Sequence, residues 1–200
     1  MVQWHRGRPL PGHSGEDRAG FTPASSDGRR GSYKALRGYG APVTFDDLAG
    51  RIDGPMFIVT VAAGAERDGC LVGFATQASI DPGRFLVCLS DRNRTSRIAR
   101  DASALAVHVV TADAMALAEL FGGETGDHLD KFARCAWHEG PRGLPILDDL
   151  PHRFAGDIIG RMDCGDHDAF LLAPFWAESP GPFTALAEHV AERITPGHDA

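Results

Sequence analysis

Residues 70–100 read Cys-Leu-Val-Gly-Phe-Ala-Thr-Gln-Ala-Ser-Ile-Asp-Pro-Gly-Arg-Phe-Leu-Val-Cys-Leu-Ser-Asp-Arg-Asn-Arg-Thr-Ser-Arg-Ile-Ala-Arg. Two strand-like runs, residues 70–80 and 84–89, flank an Asp-Pro-Gly turn, which predicts an antiparallel hairpin. The second run leads directly into a loop that contains four arginines. Polar groups inside an otherwise apolar hairpin, followed by clustered anion donors, are what a phosphorylated cofactor with a ring system would need.

The composition around this hairpin indicates one globular domain. The chain has 200 residues, of which 43% are hydrophobic and 24% charged, and domains commonly contain about 100–150 residues. No apolar run reaches the ~18 residues of a membrane span, and the N-terminus lacks the pattern of a secretory signal. Together with four scattered cysteines, none in a C-x-x-C pair, this predicts a cytoplasmic protein with reduced thiols and no membrane association. The cysteines are Cys70, Cys88, Cys135 and Cys164.

Charge is distributed unevenly along the chain. The net charge is −7, but residues 1–40 carry seven Lys and Arg against three Asp and Glu, so the remaining residues are strongly acidic. An acidic domain repels nucleic acid, because phosphate neutralisation supplies most non-specific affinity. Four arginines within residues 92–100 nevertheless form a local cationic cluster, which favours a small anion as ligand.

The chain is expected to divide into three parts. Residues 1–42 are rich in Gly, Ser, Pro and Arg without periodicity, which predicts a disordered basic tail. Such a tail could contact anionic partners, although a solvated extension is the simpler interpretation. Residues 43–180 carry the patterning of a folded domain. Residues 181–200 predict a C-terminal helix or tail, with Leu186, Val190 and Ile194 on one helical stripe.

The folded part is predicted to be mainly β-structure with peripheral helices. Strands are expected at residues 55–61, 70–80, 84–89, 104–110, 154–162 and 168–176, with another possible at 135–138 inside a long loop, 121–143. Helices are expected at 44–52, 95–101, 182–194 and up to residue 120, the last of these capped by Thr111 or Asp113. Hairpins without regular strand–helix alternation favour an antiparallel barrel, since closure removes unpaired edges.

Two segments of the hairpin are candidates for binding a cofactor. Small residues between Gly73 and Ser79 would let a planar ring approach the strand, where Thr76 and Gln77 could hydrogen-bond to its edge. Taken alone, an ordinary strand with a polar outer face is the more economical interpretation. The loop Ser90-Asp-Arg-Asn-Arg-Thr-Ser96 precedes a predicted helix, whose N-terminus favours phosphate. A capped helix with solvated arginines explains that loop equally well.

Further candidates lie downstream. Gly165-Asp166-His167 sits in a turn between two predicted strands, where the histidine could contact a ring or be incidental. Lys131 and Phe132 place a cation beside an aromatic ring, for ligand contact or a surface ion pair. No metal site is expected, because His128, Cys135 and His138 lack a recognised zinc spacing. No nucleophile elbow or G-x-G-x-x-G motif is present.

These motifs resemble a known family. The segments Met56-Phe-Ile-Val-Thr, Gly69 to Pro82, Phe85-Leu-Val-Cys-Leu-Ser90, Asp130-Lys-Phe132 and Gly165-Asp-His167 occur in the order and approximate spacing of the flavin reductase family, which has the FMN-binding split-barrel fold. The similarity covers roughly residues 43–178. Many members have Asn where Gly73 stands, and Asn near His108.

The resemblance implies a dimeric antiparallel split β-barrel that binds FMN, or FAD, near the subunit interface. In the family, the residues matching Ala75, Thr76 and Gln77 contact the flavin ring. The loop of Ser90, Asn93, Arg94, Thr95 and Ser96 holds the phosphate, Lys131 and Phe132 close over the site, and His167, with Gly165 and Asp166, lies near flavin and nicotinamide.

The implied function is hydride transfer from NADH or NADPH to flavin, by an enzyme that could supply reduced flavin to a partner monooxygenase. The cofactor carries this chemistry. Two alternatives stay open: a flavin-binding electron carrier or sensor without reductase turnover, and an interaction module that binds no flavin.

Overall fold

The computed structural model describes residues 44–197. The predicted tail, residues 1–42, lies outside the described residues. The secondary structure of the described part consists of nine strands, four short α-helices and two 3₁₀ turns, Lys131–Arg134 and Pro141–Gly143. The strands are β1 (Phe57–Ala63), β2 (Glu66–Val72), β3 (Ala75–Ile80), β4 (Gly83–Ser90), β5 (Ala104–Val109), β6 (Trp137–Glu139), β7 (Pro145–Leu147), β8 (Arg153–Asp163) and β9 (His167–Glu178). The helices are α1 (Phe45–Ala49), α2 (Arg94–Ala99), α3 (Met115–Gly123) and α4 (Glu188–Ala191).

Seven strands form one antiparallel sheet in the order β2-β1-β5-β8-β9-β4-β3, and β6 pairs with β7 separately. This confirms the prediction of mainly antiparallel β-structure with few helices. β2 and β3 stand at opposite ends of the sheet, yet only Gly73 and Phe74 separate them in the chain. Two residues span less than about 11 Å, so the sheet curves enough to bring its two ends together there.

The core explains this curvature. One cluster combines alternate residues of β1, β2, β4, β5 and β9 with Ile98 and Ala99 of α2, so strands from both ends of the sheet share one interior. A second cluster packs α3, Phe132 and Leu186 against Ile58 on the opposite face of β1. Because successive side chains of β1 point to opposite faces of the sheet, one face of β1 packs into the first cluster and the other into the second.

The structure differs from the predicted elements in the first hairpin. The single strand expected over residues 70–80 is two strands, β2 and β3, because the chain leaves its pairing with β1 at Val72 and begins pairing with β4 at Ala75. Periodicity cannot show which neighbour a strand pairs with. The capping box at Thr44 and Asp47 is present as predicted and opens α1.

Both helices predicted near residues 111–120 and 182–194 are displaced. Helix α3 begins only at Met115, after Ala114, which provides no side-chain cap; the Asp113 carboxylate instead hydrogen-bonds to Thr111, which lowers its pKa. Residues 182–187 are extended, since Leu186 exchanges backbone hydrogen bonds with Val110 and Met56. Only Glu188–Ala191 is helical. The strand β7 within the segment 145–147 was not predicted.

His108 on β5 is a fully buried histidine that belongs to the core. Its Nδ1 donates to the Ile58 carbonyl at 3.1 Å, and its Nε2 accepts from the Leu147 N–H at 3.1 Å. These partners hold the neutral tautomer, and burial lowers the pKa of His108 from 6.5 to about 4. The side chain ties β1 to β7 and does not line the cavity described below.

We expect His108 to make the protein less stable in mild acid. Because its folded pKa lies below its unfolded value of 6.5, the unfolded chain binds a proton first, and stability falls as the pH drops from about 6.5 towards 4. The full contribution is about 3 kcal/mol. Urea unfolding of the wild type and His108→Asn between pH 7 and 4 measures this: the variant should lose less stability over that interval. Parallel losses would contradict the assignment.

Candidate functional site

A cavity of about 310 Å³ opens at the break between β2 and β3. Gly73 and Phe74 form one wall, the end of β4 with Ser90 a second, and Asn93 and His167 lie beside it. Residues from α3 and the C-terminal segment complete the lining, including Phe121, Glu124, Glu188 and Glu192. The cavity therefore forms where the ends of the sheet meet, and the predicted residues Ser90, Asn93 and His167 come together there.

The hairpin between β8 and β9 positions His167. His167 pairs with Ser90 in the register of β4 and β9, and Gly165 at φ 105° makes the tight turn that precedes it. The His167 Nδ1 lies 2.7 Å from the Asp166 carboxylate, and this hydrogen bond lowers the pKa of Asp166. The imidazole also packs against Phe74, with ring centroids 5.2 Å apart. The contacts with Asp166 and Phe74 thus fix the orientation of the partly buried His167 imidazole at the cavity.

The loop after β4 orients Asn93 toward the cavity but turns two predicted ligands inward. Asn93 caps α2 and accepts a hydrogen bond from the Thr95 N–H at 3.3 Å. The buried Thr95 hydroxyl donates to Asp68 at 3.2 Å, and the Ser96 hydroxyl donates to Asp168 at 3.1 Å. Both hydroxyls are therefore engaged within the protein, and any phosphate contact at this loop falls to Asn93, Arg94 and backbone groups.

Three of the four arginines in the cationic cluster predicted from the sequence are paired with carboxylates in the structure. Arg94 contacts Glu66 at 3.0 Å. Arg97 contacts Asp127 at 2.6 Å, and Arg100 contacts Asp168 at 2.7 Å. Counting charges along the sequence missed these partners, because they lie 28 to 68 residues away in the chain.

A second, polar cleft of about 500 Å³ adjoins the arginine loop. Arg94 lines it together with Arg67, Asp127 and Asp130. Arg67 lies over the rings of Phe132 and Trp137, with its guanidinium carbon 5.5 and 4.8 Å from their centroids. The sequence alone did not single out Arg67, which stands in a polar run of β2. Since Asn93 lines the first cavity and Arg94 the second, this loop borders both.

Lys131 and Phe132 occupy a different place from the one predicted. They were expected to close over the site, but both are buried beneath β2, with 2% and 5% of their surfaces exposed. The Lys131 Nζ donates to the Gly69 carbonyl at 2.6 Å and lies 3.7 Å from the buried Asp68 carboxylate. Phe132 packs edge-on against Phe121 and Trp137. Both residues also line the polar cleft beside Arg94, so they border the candidate site while they support β2.

Ala75, Thr76 and Gln77 do not line the cavity. They lie on β3, the end strand of the sheet, where Thr76 and Gln77 are exposed. The Gln77 amide hydrogen-bonds only to the Ser79 carbonyl nearby, at 3.2 Å. Within one chain, the strand that was predicted to contact the ring therefore does not form part of the cavity wall.

Within residues 44–197, no three His, Cys, Asp or Glu side chains are grouped so that they could hold a metal ion. None of the helices in that range is long and apolar enough to cross a membrane.

Comparison with known proteins identifies relatives of this chain. A family model described as a flavin reductase-like domain matches residues 49–182. The FMN reductase (NADH) RutF of Ancylobacter novellus is 27% identical over 127 residues, which cover 64% of this chain and 70% of the relative. The 4-hydroxyphenylacetate 3-monooxygenase reductase component of Salmonella typhimurium is 25% identical over 130 residues, covering 64% and 76%.

A solved structure shares the fold. The NADH:FAD oxidoreductase SgcE6 of Streptomyces globisporus superposes with a TM-score of 0.64 and 22% identity, covering 70% of this chain and 83% of that one. The matched range, residues 49–182, includes every strand described above. It ends before α4, whose residues complete the cavity lining.

The buried Lys131 supports a prediction about stability. Replacing it by Met leaves the Asp68 carboxylate buried without its cation, so we expect Lys131→Met to lower the free energy of unfolding by about 3–5 kcal/mol. Urea denaturation measures this, and Arg134→Met, in the same turn but exposed, is the matched control. Adding Asp68→Asn to Lys131→Met should restore part of the loss. If the Lys131 and Arg134 variants were equally stable, the buried pair would not stabilise the fold.

Proposed function

Because this chain belongs to the flavin reductase-like family, we propose that it is an NAD(P)H:flavin oxidoreductase. The observation that carries the proposal is the cavity at the meeting of β2, β4 and β9, which joins an oriented histidine, His167, to the Asn93–Arg94 loop. The proposed reaction is hydride transfer from a reduced nicotinamide nucleotide to flavin. The flavin, when bound, supplies the hydride-accepting ring.

The residues present fit such a ligand. The cavity combines apolar walls, such as Leu89 and Phe74, with hydrogen-bonding groups on Ser90 and Asn93, as sites for planar cofactors do. The adjoining cleft places Arg67 and Arg94 next to the same loop, where a guanidinium can bind phosphate in a bidentate manner. We therefore assign the ring to the first cavity and the phosphate to the arginine side of the loop.

The chain's own groups orient and shield the reactants. His167, which is held by Asp166 through Nδ1, lines the cavity beside Phe74. There it can hydrogen-bond to a ring and fix the position of that ring. Phe74 and Leu89 exclude water from the ring face. No proton-transfer pair is required, because a hydride moves directly between the two ligands.

The preferred cofactors are FMN and NADH in this proposal. Its support is the name of the RutF relative, an FMN reductase that uses NADH. The Salmonella relative is named as the reductase component of a monooxygenase, which supports a partner monooxygenase as the recipient of reduced flavin. FAD and NADPH are the alternatives, and replacing FMN by FAD or NADH by NADPH in an activity assay distinguishes them.

We further propose that residues 43–180 form a split β-barrel domain that dimerises. The meeting of the sheet ends at Gly73 and Phe74 supports a barrel. Strand β3 pairs only with β4 among the described strands. Phe74, just before β3, and Ile80, its last residue, are 60% and 85% exposed, and such an unpaired apolar edge could pack against a partner subunit. In such a dimer Ala75, Thr76 and Gln77 contact the ring from the partner side.

An activity assay tests the reductase proposal. With FMN present, the protein should oxidise NADH, measured as the loss of near-ultraviolet absorbance of the reduced nicotinamide. Substituting His167→Ala should lower kcat at least about tenfold while changing the Kd for FMN less than about threefold, because the histidine orients reacting rings. His138→Ala, an exposed histidine paired with Asp148, is the control. Stoichiometric FMN retention without NADH oxidation would instead indicate an electron carrier.

The phosphate assignment predicts a difference between two flavins. Changing Arg94→Glu should weaken FMN about 10- to 100-fold and riboflavin far less, since only FMN carries the phosphate and charge-assisted contacts contribute about 1.5–3 kcal/mol. Flavin fluorescence titration measures both constants. Arg51→Glu, at an exposed position lining neither cavity, is the matched charge reversal. Equal losses for FMN and riboflavin would refute the role of Arg94.

A further inference from the structure

The C-terminal segment, residues 184–197, forms part of the cavity but lies outside the family match. It runs along the start of β1, where the Met56 N–H donates to the Leu186 carbonyl at 2.9 Å and the Glu188 N–H donates to the Gly54 carbonyl at 2.9 Å. Leu186 and Ala191 are buried in the second core cluster. The segment is therefore anchored by backbone bonds and apolar packing, and its cavity-lining side chains are features of this chain.

Glu188 on this segment is the side chain closest to the break between β2 and β3. Its Oε1 lies 3.2 Å from the position that a Cβ on Gly73 would take, so the carboxylate occupies space that a larger residue would fill. It is half-buried, and among residues 44–197 its carboxylate has no hydrogen bond or ion pair. An unpaired carboxylate in a partly apolar cavity acts strongly on the charge of whatever binds beside it.

The rest of the lining does not offset this charge. Glu124 and Glu192 also line the cavity, and neither Lys nor Arg is among the described residues that do so. His167 is the one imidazole in the lining, and Asp166 is hydrogen-bonded to it. The first cavity is thus anionic, whereas the arginines border the second cleft.

Hydride transfer changes the charge of the ring that would bind there. An oxidised flavin ring is neutral; a hydride brings two electrons and one hydrogen, so the product ring carries one negative charge unless it also gains a proton. The nicotinamide ring that gives up the hydride changes from neutral to positive. A fixed carboxylate beside the flavin ring therefore favours the substrate form over the reduced product.

We propose that Glu188 is a specificity-determining residue that makes the site bind oxidised flavin in preference to reduced flavin, and so promotes release of the reduced product. This inference rests on the proposed reductase function. It fits an enzyme whose product is used elsewhere, because a reductase that supplies another protein has to let its reduced flavin go. The phosphate is the same in both redox states, so the preference arises at the ring.

Equilibrium binding of both redox forms tests the proposal. The Kd of oxidised FMN is measured by fluorescence quenching, and that of FMN reduced with dithionite by anaerobic ultrafiltration. Wild-type protein should bind the oxidised form more tightly. Glu188→Gln should reduce the ratio of the two constants about three- to tenfold, mainly through tighter binding of reduced FMN, as expected for removal of one partly screened charge.

Controls separate charge from structure and from the proposed function. Glu119→Gln, an exposed position on α3 outside the cavity, should leave the ratio unchanged, and Glu188→Ala should match Glu188→Gln if charge is the cause. Thermal unfolding checks that each variant folds, since the anchoring contacts of Glu188 are made by its backbone. An unchanged ratio in folded Glu188→Gln that binds FMN overturns this inference alone. Failure of the wild type to bind either form overturns the proposed function as well.

Discussion

A buried charge pair holds the site together. Asp68 on β2 accepts a hydrogen bond from the Thr95 hydroxyl on α2 and lies 3.7 Å from the Lys131 ammonium. Three segments distant in sequence therefore meet at one carboxylate inside the protein, where an unpaired charge would be costly. Because α2 begins at the loop that borders both cavities, the position of that loop depends on this contact. Asp68 also lines the polar cleft, so a change there acts on the ligand site directly as well as through the position of this loop.

The pair of Asp68 and Lys131 also shows which features could not be predicted from the sequence. Runs of β-branched and apolar residues between turn signals located most strands within a few residues, and the capping box at Thr44 located α1, because both signals are local. Lys131 beside Phe132 suggested an exposed ligand contact; its burial depends on a carboxylate 63 residues earlier. The sequence also contained no sign of the break at Gly73, because a strand that changes its pairing neighbour has the same composition as one that does not. The family resemblance predicted the order of the motifs along the chain, and the structure identifies the side chains that each motif contacts.

Pairing of the arginines changes how the site is expected to bind an anion. A free cationic cluster would attract phosphate from a distance, whereas Arg94 is already engaged with Glu66. A bound phosphate has to compete with that carboxylate, so its net contribution is smaller than the sum of its new contacts. Exposed ion pairs of this kind are weak, which makes the exchange feasible. Modest affinity is what the proposed delivery of reduced flavin to a partner requires.

The two sides of one loop differ in whether cations accompany the carboxylates. Asn93 lines a cavity with three glutamates and, among the described residues, no Lys or Arg, whereas Arg94 lines a cleft in which Arg67 and Lys131 stand among four Asp and Glu residues. A flavin has the same division: its ring gains a negative charge on reduction, and its phosphate is negative throughout. The arginine side then holds the ligand in both redox states, while the acidic side distinguishes them. Glu188 and Glu192 lie beyond the residues that the family model matches. If the proposed role of Glu188 holds, two family members with the same sheet can therefore differ in how firmly they retain reduced flavin.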